Sequence, residues 1–88
     1  MAPAVPAHVT RAELTTVIER DGDGFVALCP EVDVASQGST VQEARANLTE
    51  ALELFFETAS ESEIMRRLRS EVYVTRIEVP VRRPQPSL

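Results

Sequence analysis

The sequence contains no lysine. All nine of its basic residues are arginine, set against 14 aspartates and glutamates for a formal net charge of −5. That shortage of positive charge argues against a dedicated nucleic-acid binder, whose electrostatic footprint is a basic excess. It suits a basic partner, although negative charge also simply keeps a small protein soluble. The arginine-only usage is read as base composition or thermal adaptation and not as function. A single cysteine, Cys29, excludes a disulfide within the chain. A single histidine, His8, excludes a histidine ligand pair, and its Pro- and Ala-rich surroundings keep it off any rigid scaffold. No apolar run approaches the roughly 18–20 residues of a membrane span. Met1–Val9 also lacks the charged region leading into an apolar stretch that marks a signal peptide. The expected compartment is the cytoplasm.

What is present is ordinary for a folded domain: 43% apolar and 26% charged residues in a chain of 88. That length holds one domain with one modest core. Residues 1–12 read as a flexible leader, 13–79 as the domain and 80–88 as a Pro-rich flexible tail. Within the domain, Glu13–Arg20 is rich in β-branched residues and partly alternates, which predicts a strand. Asp21-Gly22-Asp23-Gly24 is a hairpin signal. Phe25–Cys29 is apolar at every position, as in a strand covered on both faces, and Pro30 ends it. A short third strand is expected over Val34–Gln37, stopped by Gly38.

Thr40 and Glu43 have capping-box spacing ahead of a long amphipathic stretch. Val41, Ala44, Leu48, Ala51, Leu52, Phe55 and Ala59 fall on one stripe at the helical period, and Phe55 is the expected anchor. Glu50, Glu53 and Glu57 lie opposite. Ser60 and Glu63 repeat the cap spacing before a shorter helix with Ile64, Met65 and Leu68. Glu71–Val79 alternates and is predicted to be the last strand, beside the first. The result is an α+β fold in two layers, β-β-β-α-(short α)-β, with a helix on one face of a mostly antiparallel sheet.

One helix covers one face only. Val72 and Val74 on one side of the last strand, Tyr73, Ile77 and Val79 on the other, and Leu54 and Phe56 flanking the helix stripe are left without cover. Apolar surface of that kind marks an interaction site. A second copy of the chain, a partner protein or the short helix are the candidates to cover it. The acidic face (Glu50, Glu53, Glu57) reads as solvated surface, with docking onto a basic protein as the sharper alternative. Glu53 and Glu57 are like charges at i,i+4 near a helix C-terminus, and each placement costs a few tenths of a kcal/mol.

No constellation carries chemistry. Asp21 and Asp23 begin like a calcium loop that lacks its remaining ligands, so a turn is expected. Cys29, in an apolar strand without a basic neighbour, is expected to be a buried, inert thiol. Arg66, Arg67 and Arg69 beside Glu61, Glu63 and Glu71 are expected to form surface ion pairs. A two-metal nuclease centre needs clustered carboxylates, whereas Glu13, Glu19, Glu71 and Glu78 sit at strand ends. The expectation is a non-enzyme with no cofactor and no metal.

Phe25-Val26-Ala27-Leu28-Cys29-Pro30-Glu31, then Ala35-Ser36-Gln37-Gly38-Ser39-Thr40, then Glu43-Ala44 and Asn47-Leu48-Thr49-Glu50-Ala51-Leu52-Glu53-Leu54-Phe55 closely resemble the HicB family of antitoxins. The match covers about residues 16–57. The resemblance implies a partial ribonuclease-H-like domain without nuclease chemistry, which binds and occludes a HicA-type toxin, a small basic RNA-cleaving protein. It also implies self-association. The interface candidates are Glu50, Glu53, Leu54, Phe56, Glu57, Val72 and Val74; Thr40, Glu43, Leu48, Leu52 and Phe55 are structural. Two departures are notable. A Pro-rich tail stands where many relatives carry a C-terminal DNA-binding module, so DNA binding is not expected of this chain. Val32-Asp33 replaces a common Pro-Gly between the second and third strands. The alternative reading is a stand-alone oligomeric HicB-like domain without a toxin.

Overall fold

The computed structural model describes residues 11–84. His8, most of the leader and the last four residues of the tail lie outside them. Three strands come first: β1 (Val17–Asp21), β2 (Gly24–Cys29) and β3 (Val34–Gly38). They form an antiparallel sheet in the order β1-β2-β3. The helices α1 (Val41–Thr58) and α2 (Glu61–Leu68) follow. The two-layer α+β arrangement is the predicted one, with α1 lying on one face of the sheet.

The β1–β2 hairpin closes with two loop residues, since Asp21 already pairs with Gly24. Gly22 has a positive φ of 60° and Asp23 does not. Glycine at the first loop position is what the type II′ turn requires, and that turn matches the twist of the strands. Across the sheet Ile18 pairs with Ala27, and Ala27 with Ser36. Cross-strand partners share a face. The fully buried Ala27 and Cys29 therefore place Ile18, Phe25 and Val34 beneath α1. Val17, Val26, Leu28 and Ala35 point the other way.

The core is small: Ala27, Cys29, Val32, Ala44 and Leu48. Leu48, at 1% exposure, is the deepest large side chain of α1. Phe55, the expected anchor, is only half-buried, as is Leu52. Val32, which no sequence period marks, is as buried as Leu48.

Two strand predictions need correction. The first strand begins at Val17 and not at Glu13, because the backbone N–H of Thr15 donates to the Glu31 carboxylate and not to a ladder partner. The fourth strand is absent from the sheet. Residues 71–79 are extended and unpaired, and Tyr73 and Ile77 are 82% and 81% exposed. Alternation makes a segment fit to pair but does not name its partner. Among the described residues no backbone hydrogen bond joins that segment to the sheet. The radius of gyration, 18.2 Å, exceeds the roughly 12 Å of a compact domain this size accordingly.

Candidate interaction surface

Six residues of the three motif blocks, Glu31, Gly38, Ser39, Thr40, Glu43 and Asn47, are joints between elements. Thr40 caps α1, its hydroxyl accepting from the Glu43 N–H at 3.0 Å. The Glu43 carboxylate reaches back to the N–H of Ser39 at 2.7 Å, one residue before the cap. Asn47 donates through Nδ2 to the carbonyl of Gln37 at 2.8 Å, tying the second turn of α1 to β3. Gly38 lies under the start of the helix, where a Cβ would come within 2.5 Å of the Ala44 nitrogen. Only glycine lets strand and helix approach so closely.

Glu31 holds the other end of the sheet. Its carboxylate accepts from the Thr15 N–H at 3.0 and 3.1 Å, from the Thr15 hydroxyl at 2.7 Å and from the Cys29 thiol at 3.5 Å. Burial by itself would raise the Glu31 pKa. The Thr15 hydroxyl and the backbone N–H groups outweigh it and hold the carboxyl below its ordinary value of 4.5. Burial likewise pushes the Cys29 thiol up, with the Glu31 carboxylate adding to the effect. The buried thiol stays protonated at neutral pH, the opposite of what a nucleophile needs. Asp33, at a left-handed φ of 57°, supplies the conformation that glycine gives in a Pro-Gly connection, and its N–H donates to the Cys29 carbonyl at 2.9 Å.

α2 is fixed from below. Ser60 caps it, accepting from the Glu63 N–H at 3.2 Å. The Glu63 carboxylate pairs with Arg66 and with Arg67, at 2.9 Å for the latter, and Arg66 followed by Arg67 holds its pKa low. Arg67 makes the expected ion pair with Glu63 and reaches further. Besides Glu63 it donates to the Val32 carbonyl at 2.6 Å, and its guanidinium lies 5.7 Å from the centre of the Phe55 ring. Arg69 forms no ion pair among the described residues.

The interface candidates separate into three places. Glu50, Glu53, Leu54 and Glu57 are all exposed on α1, Leu54 at 59%. Their spacing puts them on one stripe, i, i+3, i+4 and i+7. None of the three glutamates enters an ion pair among the described residues. Phe56 is half-buried against the core and meets Phe55 edge to face at 5.2 Å, which takes it out of the free surface. Val72 and Val74 lie on the unpaired segment after α2 and not on a sheet face. On the sheet side away from α1, exposed Val17 and Ala35 flank half-buried Val26 and Leu28. The shallow hollow at the hairpin turn is lined by Asp21, Asp23, Phe25, Gly38 and Glu43, among others. Its Glu43 is committed to Ser39. No group of three or more His, Cys, Asp or Glu among the described residues could hold a metal ion. No helix among them is long and apolar enough to cross a membrane.

By its geometry the chain is a small α+β domain whose exposed features are an acidic stripe on α1 and an unpaired segment after α2. The UPF0150 protein ssl0738 of Synechocystis sp. (strain ATCC 27184 / PCC 6803 / Kazusa) is 42% identical over 72 residues, which cover 80% of this chain and 99% of the relative. The chain belongs to the UPF0150 family. No family model and no solved structure matches it.

Proposed function

We propose that this protein is a HicB-like antitoxin: a non-catalytic inhibitor that binds and occludes a small basic ribonuclease of the HicA type. The observation that carries the reading is the stripe on α1. Glu50, Glu53 and Glu57 surround the exposed Leu54 and are free of ion pairs among the described residues. An apolar centre within uncompensated negative charge suits a basic, partly apolar protein surface. The like-charge pair Glu53/Glu57, near the end of α1, gains most when such a partner arrives. The resemblance of the motif blocks to HicB antitoxins and the net charge of −5 support the same reading.

The test is genetic and then biochemical. A neighbouring reading frame should encode a small basic protein with a central histidine, toxic when expressed alone. Co-expression of this chain should restore growth, and the two proteins should co-purify. Rescue lost in the Glu50→Lys/Glu53→Lys/Glu57→Lys variant would place the contact on the stripe. Absence of such a frame, with no ribonuclease co-purifying, refutes the proposal.

The exposed segment 71–79 favours a second reading, a stand-alone self-associating HicB-like domain without a toxin. A tight symmetric oligomer from which no ribonuclease can be recovered would support it.

A further inference from the structure

We infer that residues 71–79 form an exchange arm, which adds a strand to the free edge of β1 in a second copy of this chain. The arm leaves the domain at the C-cap of α2, a helix fixed by the bonds of Arg67 to Glu63 and the Val32 carbonyl. Beyond it Tyr73, Val74, Ile77 and Val79 are all exposed, at 62–82%. The arm's one side-chain hydrogen bond among the described residues is internal, from the Tyr73 hydroxyl to Glu71 at 2.8 Å. Among the described residues no backbone hydrogen bond holds the arm, and beyond half-buried Val72 its apolar side chains are exposed. An ordered backbone without such bonds loses conformational entropy uncompensated, and a monomer rarely exposes so many apolar side chains in one short segment. The missing contacts lie on another molecule.

The sheet has two edges, and they are not equivalent. On β3 the Gln37 carbonyl already accepts from Asn47, and α1 lies mostly over β3 and β2. The backbone of β1 makes no hydrogen bond other than those to β2 among the described residues. Its side chains are little covered: Val17 is exposed on one face and Ile18 half-buried on the other. A strand laid on this edge meets apolar side chains on both faces. The arm answers with apolar residues on both of its own, Tyr73, Ile77 and Val79 against Val72 and Val74. Arg76, on the face of Val72 and Val74, is brought towards the acidic Glu19 and Asp21 when that face lies beside Val17. The length also fits. Nine extended residues span about 30 Å, more than enough for the five of β1. Pro80, with no N–H to donate, stops the pairing where the alternation ends. Each copy carries both arm and edge, so exchange is reciprocal and closes as a two-fold dimer. The inference does not depend on the antitoxin reading, since it requires no partner but the chain itself.

The test uses the full 88-residue chain in light scattering coupled to size exclusion. The wild type should elute with the mass of two chains or a larger even multiple. Thr75→Pro, in the middle of the arm, should at least halve that mass while leaving the helical circular dichroism unchanged, because the arm does not support its own domain. Ile77→Asp should act in the same direction. In a mixture of differently labelled chains, isotope-filtered NOEs should connect Tyr73 or Ile77 of one copy with Val17 or Ile18 of the other. A wild type with the mass of one chain, an oligomer that Thr75→Pro leaves intact, or NOEs confined to one chain would each overturn the inference.

Discussion

Glu31 is a carboxylate that works by position. It lies just beyond β2 and collects the N–H and hydroxyl of Thr15, sixteen residues earlier, thereby anchoring the start of the chain's first strand. Hydrogen bonds to a charged group contribute about 1.5–3 kcal/mol each when buried, less when partly solvated. Glu31→Gln should therefore lower stability by about 1–2 kcal/mol at pH 7, read from urea midpoints. The pH dependence has a definite sign. The folded chain holds the carboxyls of Glu31 and Glu63 below the ordinary 4.5. Their contribution is thus complete above that value and disappears as the pH falls through the lower folded values. Wild type should lose stability on acidification below about pH 4.5, and Glu31→Gln should lose less. Gly38→Ala tests the other joint. A Cβ pressed within 2.5 Å of the Ala44 nitrogen forces helix and strand apart, which should cost about 1–3 kcal/mol or more by thermal melting. In the sequence Glu31 is a motif letter without a role, and Gly38 only the stop of the third strand. Glu31, Asn47 and Gly38 act across gaps that no local period encodes, and Asp33 fits its loop through a left-handed φ that composition does not announce.

At the scale of elements, α1 was the most legible. Its cap and its stripe are local, and both Thr40 and the buried Ala44 and Leu48 stand where the helical period puts them. The period does not say how deep each member of the stripe lies. An 18-residue helix is about 27 Å long, against about 17 Å for a five-residue strand. The sheet therefore backs the middle of α1 better than its end, and Phe55 shares its ring with Arg67. Leu48→Ala should accordingly cost about 2–5 kcal/mol, the full range for a buried leucine. Phe55→Ala should fall below the roughly 3–5 kcal/mol of a fully buried phenylalanine. Urea unfolding of the two variants side by side checks the order, and a larger loss for Phe55→Ala would contradict it. The last strand was not legible. Alternation over 71–79 predicts a strand beside the first, and among the described residues that segment pairs with none, whereas the hairpin rules correctly joined the first three strands. Nothing in a single sequence distinguishes pairing at home from pairing with a copy.

At the scale of the whole molecule, the acidic stripe and the arm are separable surfaces, and that allows the partner question to be put cleanly. The stripe lies on the solvent side of α1, while the arm leaves from α2. If a basic ribonuclease docks on the stripe, charge should govern mainly how fast it arrives and how sensitive binding is to salt. The triple variant Glu50→Lys/Glu53→Lys/Glu57→Lys should then slow association with the neighbouring-frame protein by roughly tenfold or more at low ionic strength. The difference from wild type should shrink as salt rises. Folding stability should stay within about 0.5 kcal/mol of wild type, since these side chains are exposed and unpaired. Thr75→Pro, by contrast, should leave the salt dependence alone, because it touches no charge. Stopped-flow or surface-plasmon association rates across a salt series, measured on both variants, distinguish the two surfaces. Association rates that fall equally in both would mean that the partner reads the assembled oligomer and not the stripe, and the antitoxin reading would then have to be rebuilt on the arm.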